Sequence, residues 1–235
     1  MEANERIVFV DTETTGLEPK LGHRLIEIAG IEAIGRDLTG RRFHYHLDPE
    51  RDVDAGATAI HGYTWDDLKG KPKFAAVVDE LIAFLSGAQV VIHNARFDVS
   101  FLDQELARLR RPTVTAHGLT IVDSLALARE KYPGKRNTLD ALCDRFGIDH
   151  TQRTLHGALL DARLLAEVYF ALTRGQGAFD MEAPVVVAHL TPTIERDVTD
   201  ETTPLRPITP SGDALAEHAA YLNRLAQQTG RPGAW

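Results

Sequence analysis

The chain has 235 residues, 43% hydrophobic and 26% charged, with a formal net charge of −8 at pH 7. That length suffices for one well-buried domain of about 150 to 200 residues plus an appendage, and no apolar stretch reaches the roughly 18 residues of a membrane span. The negative charge argues against a protein that coats duplex nucleic acid through a basic surface, but not against a site that grips a nucleic-acid end through metal ions. One cysteine, Cys143, excludes an internal disulfide framework, and the N-terminal Met-Glu-Ala-Asn-Glu-Arg lacks the basic start and apolar core of a signal peptide. The expected location is the cytoplasm.

Three β-branched runs, near 6 to 11, 24 to 34 and 41 to 47, predict an antiparallel meander with the first strand at one side. A helix near 74 to 86, a strand at 89 to 92, a helix near 98 to 110 and a strand near 119 to 123 follow. Helices near 124 to 132, 138 to 146 and 157 to 172 close the series. The order β-β-β-α-β-α-β-α predicts an α/β sandwich around a mixed sheet.

The texture changes near residue 175, where Gly175-Gln-Gly is followed by Pro184, Pro192, Pro204, Pro207 and Pro210. The expected division is a domain at 1–179, a flexible linker at 180–204 and a C-terminal segment at 205–235. Within that segment, Ser211 to Leu225 carries apolar residues at helical spacing behind a Ser cap. Such a helix has no core of its own, so it suits either a partner protein or its own domain.

Polar clusters interrupt the apolar pattern at four places. Asp11 and Glu13 end the first apolar run two residues apart, on one face of a strand, where two acids repel unless a cation lies between them. In His93-Asn94-Ala-Arg-Phe97-Asp98 a strand hands over to a helix, and Asp98 takes a position that also suits simple capping. Asp161 falls in the first turns of a helix whose other face is apolar, with His156 just before it. His61 and Gly62 share a loop. Four carboxylates without cysteine suit Mg²⁺ or Mn²⁺, and two such ions about 4 Å apart are the usual apparatus for in-line attack on a phosphodiester. His156, with an ordinary imidazole pKa of about 6.5, suits a general base.

As a set these motifs resemble the DEDDh exonucleases: Asp11-Thr-Glu13, then Asn94-x-x-Phe97-Asp98, then His156-x-Ala158-x-x-Asp161. Three further stretches resemble the epsilon-subunit family of bacterial DNA polymerase III: Val90-Val-Ile-His-Asn-Ala, Tyr132-Pro-Gly-Lys-Arg-Asn137 with Leu139-Asp-Ala-Leu-Cys143, and Arg153-Thr-Leu-His-Gly-Ala-Leu-Leu-Asp-Ala. The resemblance implies an RNase H-like exonuclease fold with a mixed five-stranded sheet, hydrolysing single-stranded DNA from its 3′ end to deoxynucleoside monophosphates. Asp11, Glu13, Asp98 and Asp161 would hold two divalent ions and His156 would be the base. Thr14, Thr15, Gly16, Leu17, His61, His93, Asn94 and Phe97 would line the pocket for the terminal nucleotide. The C-terminal segment would bind the polymerase III alpha subunit, and Gln176 to Phe179 stands where the family carries a sliding-clamp motif. Two other readings share these residues: a stand-alone RNA-trimming or DNA-repair nuclease, and a scaffold that stabilises the polymerase with its nuclease silent.

Overall fold

A computed structural model describes residues 5–153 and 155–174. The Gln176 to Phe179 segment, the linker and the C-terminal segment lie outside these residues. The chain begins with β1 (Arg6–Thr14), β2 (Leu25–Ile34) and β3 (Asp37–His46), two antiparallel ladders in succession. Two short helices, α1 (Ala55–His61) and α2 (Trp65–Leu68), come next, then α3 (Phe74–Leu85), β4 (Gln89–Ile92) and α4 (Ala95–Arg108). The domain ends with β5 (Thr120–Asp123), α5 (Ser124–Lys131), α6 (Leu139–Phe146) and α7 (Ala158–Leu172). Among the described residues no helix is long and apolar enough to cross a membrane.

The five strands lie in the order β3-β2-β1-β4-β5, with β4 parallel to β1 and β5 parallel to β4. The first strand is therefore at one side of the meander, as expected, and at the centre of the whole sheet. Helices cover both faces, so Ile7, Val8, Phe9 and Val10 are all fully buried and the strand reads as continuous apolar sequence. Val8 and Val10 pack with Val77, Leu81 and Phe101 from α3 and α4. Ile7 and Phe9 face the other way, onto Leu142, Leu165 and Val168 from α6 and α7.

β3 begins at Asp37, ahead of the run expected near 41, and three further differences from expectation each have a local reason. β1 runs on to Thr14 because pairing with β2 continues through Asp11↔Ala29 and Glu13↔Glu27, so both acids lie within the strand. α4 starts at Ala95, since Asn94 takes the left-handed conformation (φ 65°) that asparagine tolerates and so forms the helix boundary. Asp98 is consequently the fourth helical residue, not a cap, and is 3% exposed. α1 and α2, of seven and four residues, are too short to show helical periodicity in sequence.

α4 is anchored to the sheet by a buried ion pair. Arg24, just before β2, donates from Nε and Nη2 to both oxygens of Glu105 at 2.5 and 2.9 Å. Removing the arginine leaves a buried carboxylate without a counter-charge. Arg24→Ala is expected to cost about 3 to 5 kcal/mol in denaturant unfolding, and Arg24→Ala with Glu105→Leu to recover most of that loss.

Candidate active site

Pairing of β1 with β4 stops at Val10↔Ile92, and the crevice beyond the end of β4 opens beside Asp11 and Glu13. These two acids share the strand face of Ile7 and Phe9, the face that α7 covers, and Asp161 in the first turn of α7 meets them there. Thr12 points to the opposite face, and its hydroxyl donates to Asp98 Oδ1 of α4 at 2.7 Å. The strand thus gathers carboxylates from helices on both sides of the sheet. One open cavity of about 610 Å³ is lined by Asp11, Glu13, Asp98, Asp161, His156, His93, Asn94 and Phe97. Glu13, His156 and Asp161 each offer a ligand atom within 4.8 Å of the others.

Burial drives the electrostatics. It raises the Asp11 carboxyl well above its ordinary value, with the charges of Asp98, Asp161 and Glu13 adding to the effect. Glu13 is pushed up to about 8, chiefly by burial and then by Asp161 and Glu27. Asp98 is pushed up to about 7 by burial, against the hydrogen bond from Thr12. Burial and the nearby guanidinium of Arg153 both lower the His156 imidazole, which favours its neutral form at pH 7.

Arg153, to which the sequence motifs assign no separate role, is the cation that pairs directly with the acids of this site. Its Nε and Nη2 donate to the two oxygens of Asp161 at 2.5 and 2.6 Å, and its Nη1 to Asp140 at 2.5 Å. Nη2 also reaches His156 Nδ1 at 3.1 Å. Arginine has no acceptor, so Nδ1 accepts and the neutral ring carries its proton on Nε2. A base cannot work through either nitrogen in that arrangement. Arg129, Lys135 and Arg136 add positive charge to the cavity wall, so a net acidic protein carries a local basic rim.

The remaining residues expected at the pocket fall into two groups. Leu17 is 79% exposed and lines a neighbouring groove that Asn94 and Phe97 share with the main cavity. Phe97 also stacks at a tilt on Phe101, 5.0 Å between centroids, so its ring spans core and groove. His93 Nδ1 pairs with Ser124 Oγ at 2.9 Å. Thr14, Thr15, Gly16 and His61 lie outside the main cavity's lining. His61 ends α1 and is not in a loop; Gly62 follows as its left-handed cap (φ 83°). The Tyr63 N–H donates to His61 Nδ1, so Nε2 holds the proton and donates to the Thr14 carbonyl at 3.2 Å. A Cβ added at Gly16 would lie 2.4 Å from the His23 ring, so a side chain there would have to push that ring off its contact with the Thr15 hydroxyl.

A five-stranded mixed sheet that gathers four carboxylates and a histidine beside a basic rim defines a nuclease-type hydrolase. Residues 8–169 match the family model described as Exonuclease, RNase_T. DNA polymerase III subunit epsilon of Salmonella typhimurium is 45% identical over 237 residues, 98% of this chain and 97% of that protein. The subunit of the same name from Escherichia coli K12 is 44% identical over the same shares. Among solved structures, Exonuclease X in complex with 5′ overhanging duplex DNA is 25% identical, with a TM-score of 0.57 over 73% of this chain and 92% of that one. The zinc-bound E. coli ExoI–ssDNA complex, 21% identical with a TM-score of 0.66 over 75% of this chain and 42% of that one, shares the fold. The chain belongs to the exonuclease family, among the epsilon subunits of DNA polymerase III. Its activity is that of a proofreading 3′–5′ exonuclease. The family generally uses two divalent metal ions, and the clustered carboxylates are a fitting oxygen donor set.

Raised carboxyl pKa values fix the sign of a pH effect. The native state holds protons on Glu13 and Asp98 up to about pH 8 and 7, whereas the unfolded chain releases them near 4. Stability from these groups is full below about pH 4 and is lost as pH rises through 7 to 8. In chelator, the thermal midpoint is expected to fall from pH 5 to 8.5, and Glu13→Gln to fall less steeply over the same range.

Proposed function

We propose that Asp11, Glu13, Asp98 and Asp161 hold two Mg²⁺ or Mn²⁺ ions and that His156 takes the proton of the attacking water. The observation that carries this reading is the convergence of four carboxylates, two of them raised to about 7 and 8, with His156 in one cavity. Bound metals supply activation of the water and stabilisation of the leaving oxygen. The protein's own residues supply the rest. To act as a ligand Asp161 would leave Arg153, and the same departure would free His156 Nδ1. Asp140, already in contact with Arg153, keeps a hold on the displaced guanidinium. Arg129, Lys135 and Arg136 attract the phosphates of the strand.

The substrate in this reading is a single-stranded 3′ end of DNA. Asn94, Phe97 and Leu17 border the path of the terminal nucleotide, with His93 supporting the strand end; His61 and Thr14 to Gly16 shape the turn beside it. None of these contacts reads a base by a hydrogen-bond code, so selection rests on fraying: a mismatched terminus costs less to unpair and enters more often. Residues 1–179 act as the nuclease domain, 180–204 as the linker and 205–235 as the segment that binds the polymerase III alpha subunit. Such a tether raises the local concentration of the primer end. Gln176 to Phe179 contacts the sliding clamp, and the protein works in the cytoplasm.

A labelled-primer assay with paired and mismatched 3′ ends tests the chemistry. Mononucleotide release is expected to require divalent metal and to favour the mismatch. Asp161→Ala abolishes it, and His156→Ala lowers the rate about 10² to 10⁴-fold with metal binding retained. Near-normal hydrolysis by Asp161→Ala would remove the metal assignment, and metal loss in His156→Ala would make that residue a ligand. Deleting residues 205–235 is expected to abolish capture of the alpha subunit while leaving hydrolysis of single strands intact; unchanged capture would reject the tether.

A further inference from the structure

Three glutamates of the fold, Glu27, Glu32 and Glu105, are at most 3% exposed. Glu32 is paired with Arg6 and Arg41, and Glu105 with Arg24. Glu27 has no arginine or lysine in its hydrogen bonds or ion pairs among the described residues; it has two imidazoles. His44 Nε2 lies 2.7 Å and His46 Nε2 3.6 Å from its Oε1. The backbone explains the convergence. Glu27 pairs directly with His46 across β2 and β3, and His44, two residues earlier, shares that face.

We propose that Glu27, His44 and His46 form a metal site of their own, taking one Zn²⁺-class ion, outside the four-carboxylate cluster. Two imidazole nitrogens and one carboxylate oxygen lie within 4.8 Å of one another. A tetrahedral ion with bonds of about 2.0 to 2.1 Å places its ligand atoms roughly 3.4 Å apart; His46 Nε2 is already 3.6 Å from Glu27 Oε1, and the 2.7 Å hydrogen bond from His44 Nε2 would give way to the ion as the His44 proton moves to Nδ1. The donor set is nitrogen-rich, so it favours Zn²⁺ or Co²⁺ over Mg²⁺, the reverse of the oxygen-only cluster. Three protein ligands leave a fourth position for water, and the two histidines, 28% and 29% exposed, leave an entry path.

Support for the ligands is already built. Glu27 Oε2 accepts the Ala158 N–H at 3.1 Å, which orients the carboxylate and leaves Oε1 toward the histidines. His46 Nε2 also meets the Tyr63 hydroxyl at 2.9 Å, a contact that an ion on Nε2 would replace. Because Ala158 opens α7, an ion here ties the β2 and β3 strands to the helix that carries Asp161. The consequence is a metal that stiffens the site without touching substrate.

Cobalt reports on the difference in ligand geometry. Metal-free full-length protein, first given excess Mg²⁺ to occupy the carboxylates, is titrated with Co²⁺ and followed by visible absorption and by proton NMR. The expected result is one equivalent of strongly absorbing, four-coordinate Co²⁺ with two paramagnetically shifted imidazole N–H signals. His44→Gln and His46→Gln are each expected to lose that equivalent, and Zn²⁺ to raise the thermal midpoint of the wild type but not of the variants. Weak six-coordinate absorption alone in the wild type overturns the proposal, as does an unchanged spectrum in a folded variant. The wild-type NMR count decides if both variants fail to fold.

Discussion

Four carboxylates drawn into one cavity repel one another, and the sheet, the helices and the surrounding cations are arranged around that repulsion. Burial itself disfavours the charged forms and is the first cause of the rise, Glu13 to about 8 and Asp98 to about 7, with neighbouring acids adding to it at Asp11 and Glu13. Arg153 offsets part of the repulsion by pairing with Asp161 on both oxygens. The same guanidinium holds His156 in a tautomer unfit for proton abstraction. Arg153 thus links the two chemical groups of the site, the carboxylate of Asp161 and the imidazole of His156.

Strand direction makes the gathering possible. β1 is the central strand, antiparallel to β2 and parallel to β4, so its end projects past β4 into an open crevice. Alternation then sends Asp11 and Glu13 toward α7 and Thr12 toward α4. A one-residue slip in β1 would turn both acids to the wrong face. The Glu13↔Glu27 pair shows how tightly charge is managed here. Burial alone would raise Glu27, but hydrogen bonds from His44 and the Ala158 N–H, with both imidazoles, pull it below its ordinary value. Its negative charge then helps to push Glu13 up.

Much of this was legible in the sequence because the chemistry is written in spacing. The doublet at Asp11 and Glu13, the apolar run before it and the acid in the first turn of α7 each carry a periodic signal. Asp98 was less legible: a carboxylate near a helix start looks like a cap, and only the left-handed Asn94 reveals that the helix began earlier. His61 looked like loop chemistry because α1 is two turns long and has no periodic window. Arg153 and the Glu27, His44 and His46 group were not legible at all. Their partners are set by tertiary contacts across a loop or across strands, for which a single chain offers no local pattern.

The proposed role of the cluster is to be neutralised by a pair of ions. Electron paramagnetic resonance of the Mn²⁺-loaded protein with a bound single strand measures this directly. Two ions about 4 Å apart give an exchange-coupled spectrum as the second equivalent binds. An isolated-ion, six-line spectrum at every loading would contradict the account.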